Sequence, residues 1–177
     1  MKLSTYGLVY KGRKEMAIFT MDFINEYTKL KSSNNKQKIT LYRLHHENQD
    51  SKLAIPKIPD NYFTKNGYEE NKTPRVCFGP SIGKCLMALS RNCTNEEYYV
   101  HIPESGSNFD VYKPTLDEVP DSGVTGELWV LNKVKQKCIG KIKVISDDGK
   151  PGHKFNYGDG KSAELYGWNW KWIERYS

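Results

Sequence analysis

The chain alternates short apolar runs with long polar stretches, and the spacing within each run predicts its local structure. In "EMAIFTMDFINEYTKL" the apolar positions Met16, Ile18, Phe19, Phe23, Ile24 and Tyr27 follow a helical stripe. The polar "KSSNNKQK" after it reads as a loop. "ITLYRLHH" is rich in β-branched and aromatic residues and predicts a strand with Arg43 in its middle. From Glu47 to Thr73 the chain reads as loop, with Pro56, Pro59 and Gly67. Loops of that length are often functional, and a lid over a ligand is one such use.

"RVCFGPSIGKCLMALSR" predicts a short strand from Arg75 to Phe78, a Gly79-Pro80 turn, and then a helix. Ile82, Cys85, Leu86 and Leu89 fall at i, i+3, i+4 and i+7 of that helix. "EEYYVHIP", "ELWVL" and "KCIGKIKVI" predict further strands, with residues 104–123 as loop. In the tail, Trp168, Trp170 and Trp172 alternate onto one face of a strand. The sum is an α+β chain of five to seven short strands and one or two helices, without a βαβ rhythm or an internal repeat. At 177 residues it predicts a single domain. Residues 1–38 form its strand and helix lead-in, 41–145 its core, and 146–177 an aromatic C-terminal extension.

One apolar run opens on a charge. In "TGELWVL", strand alternation puts Glu127, Trp129 and Leu131 on one face and Leu128 and Val130 on the other. Both faces are apolar, so Glu127 needs an edge, a partner or a task, because an unpaired buried carboxylate is costly.

Composition narrows the setting. A net charge of +6 favours an anionic partner: a nucleotide, a nucleic acid or an acidic protein face. Four cysteines without a C-x-x-C pair, and four histidines not spaced as zinc ligands, predict free thiols and no metal centre. No stretch resembles a signal peptide or is long enough to span a bilayer, so a cytoplasmic location with no membrane partner is expected.

Three polar residues in or just after apolar strands stand out: Arg43 in "LYRLHH", Ser81 in "CFGPSI" and Glu127 in "TGELWVL". In order and approximate spacing they resemble the ADP-ribosyltransferases of the Arg–Ser–Glu type. The resemblance covers residues 41–145. It implies small mixed or antiparallel sheets around a central cleft that binds NAD as co-substrate, and a protein or nucleic-acid acceptor. It further implies a toxin or effector, and the Lys-, Asn- and Ile-heavy composition is compatible with a bacterial, plasmid or phage source. On this resemblance Glu127 and Ser81 are catalytic, and Arg43, Tyr42, His45 and Phe78 bind the cofactor.

Chemistry gives those residue types a reason. A guanidinium fork suits the NAD diphosphate, which assigns it to Arg43. Cleaving the nicotinamide–ribose bond creates an oxocarbenium-like centre, and a carboxylate such as Glu127 stabilises that charge. Ser81 would position the carboxylate or the ribose, and Tyr42, Tyr62, Phe63 or Phe78 would stack on nicotinamide.

The match departs from the family in two places. Thr125 stands where arginine-modifying members carry Glu or Gln, which turns the expectation away from an arginine acceptor. "GPS" replaces the usual Ser-Thr-Ser, and histidine-containing relatives make His45 or His46 an alternative to Arg43. Ser81 equally suits the N-cap of the helix after it. Arg43 and Glu127 equally suit structural ion pairs. Two other functions stay open: a non-catalytic interaction or inhibitor protein, such as a phage anti-defence factor, and a basic nucleic-acid-binding domain that uses "YGWNWKWIERYS".

Overall fold

The computed structural model describes residues 40–61, 65–89, 91–105, 109–158 and 160–177. The expected lead-in over residues 1–38 and the aromatics Tyr62 and Phe63 lie outside the described residues. The elements in chain order are β1 (Arg43–His45), β2 (Leu53–Ala54), β3 (Val76–Phe78), α1 (Ile82–Met87), β4 (Glu97–Pro103), β5 (Val111–Tyr112), α2 (Ser122–Thr125), β6 (Leu128–Val130), β7 (Val134–Asp147), β8 (His153–Gly158), β9 (Lys161–Leu165) and β10 (Trp168–Arg175).

This is an α+β protein with antiparallel pairing throughout these ladders. Strands outnumber the five to seven expected. Four strands are additions: β2 and β5, two residues each and too short to show a period, lie in stretches that read as loop, and β8 and β9 form a separate hairpin ahead of the tryptophan strand.

The fourteen-residue β7 organises the larger sheet. β4 pairs along one edge, with β1 outside it, while β2 and β10 share the other edge. A bulge sets Val100 opposite Gly140 and His101 opposite Cys138, leaving Ile139 as the extra residue. One sheet face is apolar: Tyr98, Val100, Ile142 and Val144 pack with Ile82 and Leu86 of α1. Trp168, Trp170 and Trp172 lean on that core, alternating with exposed Asn169, Lys171 and Ile173. The tail is therefore an edge strand whose indoles face inward.

The smaller sheet runs β3–β6–β5. Val76, Phe78 and Val130 from it meet Leu41, Ala54 and Val134 in a second core. A bridge joins the two sheets: Tyr42 N donates to Gly79 O at 2.9 Å, and Gly79 N donates to Tyr42 O at 2.8 Å. Among the described residues β1 and β3 pair nowhere else, so past this bridge the two strands form a fork. No helix among the described residues is long and apolar enough to cross a membrane.

Candidate functional site: the cleft between the sheets

The fork holds a cavity of about 190 Å³. Tyr42, Arg43 and Leu44 of the β1 segment wall one side, and Cys77, Phe78 and Gly79 of the β3 segment wall another. Helix α1 adds Lys84, Cys85, Ala88 and Leu89, and Thr125 and Glu127 complete the lining. Drug-sized ligands fill roughly 300–1,000 Å³, so this space suits one ring with a substituent, with any larger ligand continuing outside.

Glu127 reaches the cavity through a compact local device. The four-residue α2 ends at Gly126, which adopts the left-handed conformation (φ 67) and donates its N–H to Ser122 O at 2.8 Å. Thr125 is buried, its hydroxyl donates to Asp121 O at 3.2 Å, and it accepts from Glu127 N at 3.4 Å. Lys84 Nζ donates to Val124 O and so ties α1 to this turn. Glu127 then precedes β6, and its Oε1 accepts from Trp129 Nε1 at 2.6 Å. The charge at the head of an apolar strand thus has a partner on its own face: an indole that is wholly buried.

Arg75 is buried as well, and its guanidinium lies 4.0 Å from the centre of the Trp129 ring. It donates to Glu70 Oε2 at 2.9 Å. Further carboxyl groups share the surroundings of Glu127. Burial, and then the charges of Glu127 and Asp121, push Glu69 up to about 7. Burial, and then Glu127, push Asp121 up to about 6. The Cys77 thiol is pushed up by burial and then by the charge and hydrogen bond of Glu127. Cys85 is pushed up to about 12, first by burial. Neither cavity thiol is therefore prepared to be a thiolate nucleophile.

Four of the six residues expected from the sequence, Tyr42, Arg43, Phe78 and Glu127, meet in this one cavity wall. Arg43 is half-buried, which lowers its pKa, and its Nη1 donates to Gln136 Oε1 at 3.4 Å. Among the described residues no carboxylate forms an ion pair with it. Ser81 lies at the N-cap of α1, where its hydroxyl accepts from Lys84 N at 3.2 Å. It is exposed and stands outside the wall. His45 is also outside the wall, edge-on to His101 at 5.1 Å between ring centroids.

Lys84, Asp121 and Glu69 belong to these surroundings without having been singled out in the sequence. Lys84 follows the N-cap serine by three residues, an unremarkable place for a lysine. Nothing local announces its bond to a carbonyl forty residues away. Among the described residues no three His, Cys, Asp or Glu side chains are arranged to hold a metal ion. In comparisons with known proteins, the chain matches no family model, no curated protein and no solved structure.

Proposed function

We propose that the cleft takes the nicotinamide–ribose end of NAD and that the protein is an ADP-ribosyltransferase. The observation that supports this most is the shared cavity: Glu127, Tyr42, Phe78 and Arg43 come from three distant segments and wall one ring-sized space.

Within this reading, Tyr42 flanks the nicotinamide ring, and Phe78, packed in the second core, backs the wall behind it. Glu127, oriented by the Trp129 indole, faces the ribose carbon from which nicotinamide departs and stabilises the positive charge that develops there. Arg43, with no carboxylate paired to it among the described residues, is the cation available to the diphosphate at the mouth of the cavity. Ser81 acts through α1, whose first turn carries Lys84 to the Val124 carbonyl just before Glu127. The bond that breaks joins ribose to nicotinamide, and the bond that forms joins the same carbon to an acceptor nucleophile. Thr125, buried and bonded within α2, places no carboxylate beside an arginine acceptor.

The test is release of nicotinamide from NAD by the full chain in a cell lysate, beside Glu127→Gln. Removing the charge while keeping the shape should lower release by about 10²-fold or more. Labelled NAD in the same lysate marks the acceptor. Absence of release together with absence of NAD binding by calorimetry would overturn the proposal.

A further inference from the structure

The face of the larger sheet opposite α1 carries two imidazoles, beside Arg43, that the proposed chemistry does not use. Arg43 and His101 are directly paired across β1 and β4, and His45 is two residues beyond Arg43. All three side chains therefore share one face. His101 is wholly buried, and its Nε2 accepts from Gln49 N at 3.0 Å. An accepting Nε2 carries no proton, so the ring of His101 is the neutral tautomer protonated at Nδ1. Among the described residues neither that Nδ1 nor the buried Nε2 of His45 has a well-formed hydrogen bond, although the Tyr99 backbone and the Gln136 side chain interact with the two rings.

The segment around Gln49 closes over this cluster. Ser51 N donates to Gln136 O at 2.9 Å, Gln136 N donates to Lys52 O at 3.2 Å, and Cys138 N donates to Asp50 Oδ1 at 2.7 Å. The charged and titratable groups around the imidazoles are Arg43 and His46 from the β1 segment, Asp50 from the covering segment and Cys138 from β7. Asp50 is the single carboxylate among them. The N–H of Cys138 holds it below the ordinary carboxylate value, so it stays charged as the pH falls toward 5.

We propose that His101, with His45 beside it, is an acid-released latch on residues 48–52. A proton from solvent added at His101 Nε2 turns the acceptor of the Gln49 N–H into a second donor facing it. The same proton places a cation next to Arg43 at a buried ring. The segment then leaves β4 and β7, where His101 can be solvated. This inference stands apart from the NAD reading and holds whether or not the cleft is catalytic.

The energetics agree in sign. Burial, and then Arg43, lower His45 to about 4, and burial lowers His101. With the segment lifted, His101 returns toward its free value near 6.5, so the open form takes the proton first. Between that value and the closed-state value, the open-to-closed ratio rises by up to about tenfold per pH unit through His101, the ring that holds the segment.

Hydrogen exchange on the full chain from pH 7.5 to 5, corrected for intrinsic rates, reads this directly. Protection at Gln49, Ser51 and Lys52 should fall by several-fold per pH unit below about 6.5, while Ile142 and Val144 stay protected. His101→Gln keeps an acceptor and cannot take the proton, so its segment should stay closed at pH 5. Wild-type protection that does not change with pH, or a His101→Gln segment that opens as the wild type does, would overturn the latch. Where that variant fails to fold, ring-nitrogen NMR on the wild type decides: a segment that opens while His101 remains neutral overturns it too.

Discussion

Trp129 Nε1 donates to Glu127 Oε1 at 2.6 Å, and this bond aims the carboxylate that lines the cleft. The indole belongs to the central strand of the smaller sheet and also carries the Arg75 guanidinium on its ring. Trp129→Phe keeps most of the aromatic volume and removes the donor. A hydrogen bond to a charged group contributes about 1.5–3 kcal/mol, so thermal unfolding should show destabilisation of that order. Nicotinamide release, if the cleft is catalytic, should fall through kcat rather than KM, because the carboxylate loses its aim while the ring site stays intact. Unchanged stability in this variant would mean the bond is not held in solution.

Gly126 and Gly149 both have positive φ, +67° and +71°, but only Gly126 is crowded. A Cβ at Gly126 would lie 3.0 Å from Pro80 Cγ, whereas nothing lies within 4 Å of one at Gly149. Both alanine variants incur the left-handed backbone cost of about 1–2 kcal/mol. Gly126→Ala should be the more destabilised of the two, since it also pushes on the Pro80 turn. It should also disturb Glu127, the next residue, while Gly149→Ala leaves the cleft unaffected. Equal unfolding midpoints would show that Pro80 yields without cost.

The two raised carboxyls give the protein an alkaline sensitivity. Glu69 at about 7 and Asp121 at about 6 both lie above their unfolded values, so above about pH 4 the unfolded chain gives up these protons first. Stability should fall as the pH rises from about 4 through 7 and then level off. His45, lowered to about 4, contributes the opposite slope: stability is lost as the pH falls from about 6.5 toward 4. Melting curves from pH 4.5 to 8.5 should therefore show Glu69→Gln gaining on the wild type at the alkaline end and His45→Gln gaining at the acid end. Parallel curves for Glu69→Gln and wild type would mean that Glu69 is solvated in the folded protein.

What could be read from the sequence was what local rules control. The strand through Arg43, the helix after Ser81 and the alternating tryptophans each announce themselves within a few residues, by period or by a cap. The tail was legible as a strand, but not its place along β7, because register depends on a partner more than twenty residues away. The same limit applies at the cleft. Alternation grouped Glu127, Trp129 and Leu131, and the Glu127–Trp129 pair is present, yet Leu131 is 44% exposed because β6 ends at Val130. The aromatic character of Tyr42 and Phe78 is legible locally, but the bridge that opens a fork beside them is a pairing between Tyr42 and Gly79. Lys84, Glu69 and Asp121 acquire their roles only through Val124 and Glu127, so no window around them could signal it.

Gly140 tests whether the tail is structurally part of the main sheet. It has φ +146° beside the bulge at Ile139, and a Cβ there would sit 2.3 Å from Glu174 O and 2.8 Å from the Trp172 ring. Backbone cannot give way as a flexible side chain can, so Gly140→Ala must push β10 away from β7. That movement would strip Trp172 and Trp170 from the core they cover, and the loss should reach about 4 kcal/mol or more, at the upper end for single substitutions. Tryptophan fluorescence should shift to the red in the folded variant as the indoles meet water. Hydrogen exchange should rise along residues 170–175 before it rises along β4. A variant with native fluorescence and native exchange in β10 would show that the strand is held by contacts other than its close approach at Gly140.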